Sequence, residues 1–252
     1  MKTNAKPNHH TKVNNHVLFA RRFFGSLTIV LGWVMVSTLT VVEANASLHP
    51  AVSSIDQLIQ AMEEENEPLF RALIRKGVDV DAVGSEGWNP LCFAAACGQL
   101  HFAKLLLEAG ANVNYLLVHD GTPLILATRR GDVPMVELLL EHGAKVNQSL
   151  AGDGNPLIVA SAQGHTSVAT LLVTRGADVN AVVEGDETPL ISAARNGRLN
   201  IVKYLIAQGT DVNLSMMANT ATQPERRSPL NQALQYGHTA VADYLRKQGA
   251  KQ

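Results

Sequence analysis

From residue 54 onward, apolar side chains return in short helical stripes. Phe102, Leu105 and Leu106 lie three and four residues apart, and so do Val136, Leu139 and Leu140, then Val168, Leu171 and Leu172, then Ile201, Tyr204 and Leu205. Each stripe predicts a helix with one buried face. Ahead of each stripe stands a Pro-Leu phrase: Asn89-Pro90-Leu91, Thr122-Pro123-Leu124, Asn155-Pro156-Leu157, Thr188-Pro189-Leu190 and Ser228-Pro229-Leu230. An Asn, Thr or Ser oxygen can accept from the orphan amides of a helix start, and Pro at the first helical position loses nothing by lacking an N–H. The phrase therefore predicts an earlier, shorter helix of about seven residues in each unit. Gly98, Gly131, Gly164, Gly197 and Gly237 separate the two helices, and Gly110, Gly143, Gly176, Gly209 and Gly249 end the second. The step between phrases is 33 residues, except for 40 between Pro189 and Pro229.

After the second Gly comes a short extended piece, Ala111-Asn112-Val113-Asn114, repeated at Ala144-Lys145-Val146-Asn147, Ala177-Asp178-Val179-Asn180 and Thr210-Asp211-Val212-Asn213. Pro-Leu helix, Gly turn, Leu-rich helix and Gly-Ala-Asp-Val-Asn at this period resemble the ankyrin repeat over residues 54–252. The resemblance implies an all-α fold, a solenoid of about six helix-turn-helix units with projecting loops. The units run 54–83, 84–116, 117–149, 150–182, 183–222 with a long loop, and 223–252. The first lacks the Pro-Leu phrase but keeps Leu69, Leu73 and Ile74 in phase, as an N-terminal cap would. In the last, Arg246-Lys247-Gln248 replaces the apolar tail of a second helix expected to be shortened, as suits a C-terminal cap facing water.

Several positions depart from the family. Its usual phrase carries His after Pro-Leu, but here Cys92, Ile125, Ile158, Ile191 and Asn231 stand there. In the projecting loops the family's Asp is replaced by Leu117, Leu150 and Val183, flanked by Tyr115-Leu116 and Val182, and its turn Gly by Asp120, Asp153 and Asp186. Two readings stay open: these aliphatics pack loop against loop, or they form an exposed apolar edge for a partner. The longer step adds seven residues to the loop Leu214 to Arg227, which contains Met216 and Met217; it is either a tolerated excursion or part of a binding face. Positions before each interhelix Gly face the groove in ankyrin proteins, and here they include Arg129, Arg130 and Arg195, which could attract an acidic segment.

Residues 1–22 hold Lys2, Lys6, Lys12, Arg21 and Arg22, and an apolar run from Phe23 to Val42 follows. A positive start, an apolar core and the small-x-small exit Ala44-Asn45-Ala46 predict a secretory signal over residues 1–46, cleaved between Ala46 and Ser47, with a linker over 47–53. Twenty apolar residues are also enough to span a bilayer, so an uncleaved inner-membrane anchor is the alternative. Arg21-Arg22 leaves the Sec and twin-arginine routes both open. Either way the repeats are expected outside the cytoplasm, periplasmic or secreted, with the membrane involved only through an uncleaved segment.

The whole chain has a formal charge of −1, but without residues 1–46 it keeps 16 basic and 21 acidic residues, a charge of −5 that argues against nucleic acid as partner. The two cysteines, Cys92 and Cys97, lie five apart on one predicted helix, beyond disulfide reach. No nucleophile motif, phosphate loop or zinc motif appears, so no catalytic residue, metal or cofactor is expected. The reading is a monomeric, non-enzymatic scaffold that binds a protein partner through Tyr115, Leu117, Leu150, Val183, Arg129, Arg130, Arg195, Met216 and Met217. The phrases GDGNPLI, GDETPLI and ERRSPLNQA also resemble the ankyrin tails of some bacterial membrane antirepressor metallopeptidases. That second resemblance implies a regulatory or sensor module of the bacterial envelope.

Overall fold

The computed structural model describes residues 53–251 apart from 119, 151–153, 184–186 and 220–223. The expected signal or anchor over 1–46, with Ala46 and Ser47, and the carboxylates Asp153 and Asp186 lie outside the described residues. The described residues form twelve helices and one two-stranded hairpin. They divide into two compact units, one ending at Val78 and one beginning at Asp79.

The first unit is the helix pair α1 (Ser54–Glu63) and α2 (Glu67–Arg75). Ser53 caps α1 by accepting from the Asp56 N–H, and Asn66 caps α2 by accepting from that of Leu69, each at 3.1 Å. Ile55, Leu58, Ala61 and Met62 on α1 and Phe70 and Leu73 on α2 are buried. Leu69, in phase with the repeat, is half out in water, and its neighbour Phe70 takes the interior position.

The second unit stacks five helix pairs: α3 (Pro90–Cys97) with α4 (Leu100–Glu108), α5 (Pro123–Arg130) with α6 (Val133–Glu141), α7 (Pro156–Gln163) with α8 (Thr166–Thr174), α9 (Pro189–Arg195) with α10 (Leu199–Ala207), and α11 (Pro229–Gln235) with α12 (Thr239–Lys247). Asn89, Thr122, Asn155, Thr188 and Ser228 cap the first helices as their residue types require, each accepting from an amide two or three residues on. A cap of this kind contributes about 1 kcal/mol. Cys92, Ile125, Ile158 and Ile191 are buried, so packing stands where the family has a polar His.

First helices pack side by side along the stack more closely than second helices do, because Ala94, Ala95, Ala127, Ala160, Ala193, Ala194 and Ala233 keep them slim. Closer approach on one row bends the unit toward that row, so the face carrying the first helices and the loops is concave. One expectation is corrected here: α12 is not shortened. It has nine residues like α10, and only its polar last turn distinguishes it. Helix length follows from the caps, and His238 and Gln248 stand where Arg198 and Gln208 do.

The Val-Asn phrase ties each pair to the next. Asn114 donates to the Gly143 carbonyl at 3.1 Å and accepts from the Lys145 N–H at 2.8 Å. Asn147 does the same with Gly176 and Asp178, and Asn213 with Gly249 and Lys251. Asp81 opens the series by accepting from Asn112, and Asn180 accepts from Asp211.

Between pairs the chain projects as a finger closed by two backbone hydrogen bonds. Leu117 and Gly121 exchange both at 3.0 Å, as do Leu150 and Gly154. Gly121 and Gly154 take φ of +99° and +77°, and a Cβ there would come within 3.0 and 2.9 Å of the Ile125 and Ile158 side chains. The glycine that closes the turn has therefore moved next to the cap residue, one place beyond Asp120 and Asp153. In the last finger the bridge falls one repeat on, as Met216 opposite Arg227, and the seven extra residues extend it into a hairpin, β1 (Met216–Asn219) with β2 (Pro224–Arg227).

Candidate functional site

An extended finger strand alternates its side chains between faces. That period decides which aliphatics meet water. Leu117 is 6% exposed, and Leu150, Val183 and Met216, at the same place in later fingers, are half-buried. Leu116 at 45% and Val118 at 71% point outward on either side of Leu117, and Val182 at 57% and Met217 at 59% do so in later fingers. The expected apolar edge is thereby corrected: burial withdraws Leu117 from it, and the exposed row is Val83, Leu116 and Val182, with Ser149 at the intervening step. Tyr115 is half-buried at the base of its finger. Burial alternates with period 2 through Leu116, Leu117 and Val118, but all three are aliphatic, so the residue types alone do not separate inward from outward positions.

The arginines at the first-helix ends are partly engaged inside the stack. Arg130 lies across the turn of the preceding pair, where a Cβ on Gly98 would meet its Nε at 2.6 Å, and its guanidinium is 3.9 Å from the Asp132 carboxylate. The Arg129 carbonyl accepts from His165 Nε2 at 3.2 Å. His238 makes the same bond to the Arg195 carbonyl at 2.9 Å, and Arg198 donates to the Ala162 carbonyl at 3.0 Å. His165, Arg198 and His238 share one repeat position, the start of the second helix. None makes a side-chain cap bond to its own helix, and each holds the first helix of the preceding pair instead.

Sequence reasoning missed the residue that organises the C-terminal end of this face. Glu187 is 4% exposed, and its Oε1 accepts from Arg195 Nη1 at 2.8 Å and from Arg227 Nη1 at 3.0 Å. Its Oε2 accepts from the Ser192 hydroxyl at 3.3 Å. The Arg195 guanidinium also lies 5.5 Å from the Tyr236 ring centroid, and Tyr236 is half-exposed beside it. Burial alone would lower the Arg195 pKa, but Glu187 and then Tyr236 outweigh it, so the cation is held above its ordinary range. A buried carboxylate needs such partners. The pattern that could have revealed it is a Glu at the position of Gly121 and Gly154.

Cys92 is buried and Cys97 half-buried, and neither is in a disulfide. Burial pushes the Cys92 thiol well up, with Asp120 and Asp81 adding to it, so it stays protonated. Among the described residues no three His, Cys, Asp or Glu side chains gather as a metal site, and no helix is long and apolar enough to cross a membrane.

Comparison with known proteins agrees with this geometry. The family described as Ankyrin repeats (3 copies) matches residues 58–150, 114–183 and 157–252. Among solved structures, the human ASB11 ankyrin repeat domain is similar at a TM-score of 0.64 and 29% identity, covering 77% of this chain and 84% of that one. Two curated relatives are both described as ankyrin repeat, SAM and basic leucine zipper domain-containing protein 1. That of Echinops telfairi is 30% identical over 66 residues, 26% of this chain, and that of Colobus guereza 32% over 68 residues, 27% of this chain. The chain spans 14% of the length of each, so the likeness concerns the repeats. With capped helix pairs at a 33-residue step and the family match running from residue 58 to 252, the chain belongs to the ankyrin repeat family.

Proposed function

We propose that this chain is a non-enzymatic scaffold, exported from the cytoplasm, that holds a protein partner against its finger edge and the concave face. Ankyrin repeats are generally protein–protein interaction modules. The observation that carries the reading here is the set of outward aliphatics, Leu116, Val118 and Val182, of which Leu116 and Val118 flank Leu117 on a finger closed by two backbone hydrogen bonds. Large apolar side chains at rigid, exposed positions lower the ordering cost of binding. Export rests on the basic start, apolar run and Ala44-Asn45-Ala46 exit of residues 1–46.

The test places a photo-crosslinker at position 116 in the native host and repeats the capture with Leu116→Asp in a competing copy. Specific capture that the competitor fails to displace supports the edge, and equal displacement by wild type and variant rejects it. N-terminal sequencing of the same material reads Ser47 for a cleaved signal and Met1 for an anchor; recovery of the protein from the cytoplasm alone rejects export. A regulatory role in the envelope is the second reading, favoured by the GDGNPLI and GDETPLI phrases. It requires that deleting the chain alter envelope gene expression, and a bystander scaffold would leave expression unchanged.

A further inference from the structure

Glu187 and Arg227 occupy the same repeat position in neighbouring fingers, the position of Gly121 and Gly154 in the two fingers before them. Gly121 and Gly154 close short fingers by taking positive φ, with no room for a side chain. Glu187 is not among the residues with positive φ, since Glu65 is the one such non-glycine among those described. It turns its carboxylate inward, to within 3.0 Å of Arg227. Arg227 is the last residue of β2 and pairs with Met216 at the base of the hairpin, and both are half-buried. Their neighbours Met217 and Arg226 pair on the opposite face and are exposed. Strand alternation therefore sends one pair toward the stack and presents the other to solvent.

We propose that Glu187 is a positioning residue that latches the long β1–β2 finger onto the stack, so that Met217 and Arg226 form a preset contact element rather than the tip of a mobile loop. The latch has three legs on two elements. Arg195 brings in the end of α9, Ser192 the middle of α9, and Arg227 the base of the hairpin. Through Arg195 it reaches further, to the Tyr236 ring after α11 and, by way of the Arg195 carbonyl, to His238 at the start of α12. One buried carboxylate thus joins the hairpin to α9, and Arg195 joins α9 to the terminal pair. The chemistry presented outward, a thioether beside a guanidinium whose Nε is already oriented by the Ser215 hydroxyl at 3.0 Å, fits a partner segment carrying an apolar residue next to a carboxylate. That last step rests on the scaffold reading, whereas the latch does not.

Amide hydrogen exchange of the full chain tests the latch without any partner. Arg227→Gln removes the hairpin leg and leaves Glu187 with Arg195 and Ser192. Exchange at the strand amides 216–219 and 225–227 is expected to accelerate tenfold or more, with α9 and α11 still protected. Glu187→Gly, which restores the pattern of the earlier fingers, should do the same, and Met217→Ala, on the outward face, should change nothing. Unchanged protection of the strand amides 216–219 and 225–227 in Arg227→Gln overturns the proposal, and so does an equal loss of protection throughout the stack. If Glu187→Gly fails to fold, Arg227→Gln alone decides. Normal latching combined with failure to capture any partner at position 116 would count against the scaffold and leave the latch standing.

Discussion

Asn147 holds Asp178 of the following repeat: the Asp178 N–H donates to Asn147 Oδ1 at 3.0 Å, while the same side chain donates to the Gly176 carbonyl at 3.1 Å. One amide thus satisfies two backbone groups 29 and 31 residues away, at the turn that leaves α8. Because each repeat touches only its neighbours, such a tie sets the coupling between them.

Replacing Asn147 by Ala is expected to cost about 1–3 kcal/mol, the price of two bridged backbone groups losing their partner. Urea unfolding should show a lower midpoint and a broader transition, since the stack is cut in its middle. Asn213→Ala, which releases Gly249 and Lys251 just after α12, should raise amide exchange in α12.

Leu116 and Leu117 are adjacent and chemically identical, yet their substitution by Asp should separate stability from binding. Leu117→Asp puts a carboxylate at a 6% exposed site and should destabilise by on the order of 3 kcal/mol. Leu116→Asp, at a 45% exposed site, should stay within about 0.5 kcal/mol of wild type while reducing partner capture. Equal destabilisation by both would contradict the alternation of the finger strand.

Truncating Arg195 to Ala leaves Glu187 buried with Arg227 as its remaining cation and removes the guanidinium beside Tyr236. A loss of on the order of 2 kcal/mol is expected, below that of a fully buried pair because Arg195 is itself about a third exposed. Arg195→Lys should recover part of it, keeping the charge without the flat surface for the ring. Thermal melts of the two variants side by side check the order.

The Cys92 thiol has its pKa raised in the folded state, so folding keeps a proton that the unfolded chain releases above about pH 8.5. Its contribution to stability is full below that pH and is lost as pH rises, with a slope of up to ~1.4 kcal/mol per pH unit. Comparison of wild type with Cys92→Ala between pH 8 and 10 should show this extra decline in wild type alone. Under native conditions an alkylating reagent should label Cys92 only after unfolding.

The helix pairs were legible in the sequence because their causes are local. Thr122 and Pro123 start α5 and Gly131 stops it, whatever lies beside it. The inward position of Leu117 was not legible, because its finger pairs through the single Leu117–Gly121 bridge and its neighbours Leu116 and Val118 are aliphatic too. Glu187 could be read as a departure from Gly, though not as a buried one, because its partners Arg195 and Arg227 stand 8 and 40 residues away. The apparent freedom of Arg130 was misleading for the same reason, since the Gly98 turn that it covers belongs to the preceding pair.

By itself the sequence determined the repeat step, the helix starts, the first-helix stops, the longer last finger and the basic, apolar N-terminal segment, all of them set by residues in contact along the chain or by a fixed period. Only the tertiary structure decided which aliphatics face water, how Asn114, Asn147 and Asn213 bind each pair to the next, and that the seven added residues form a hairpin anchored on a buried carboxylate. Burial and ion pairing depend on groups that stacking brings together from different repeats, and no local pattern records which neighbour arrives.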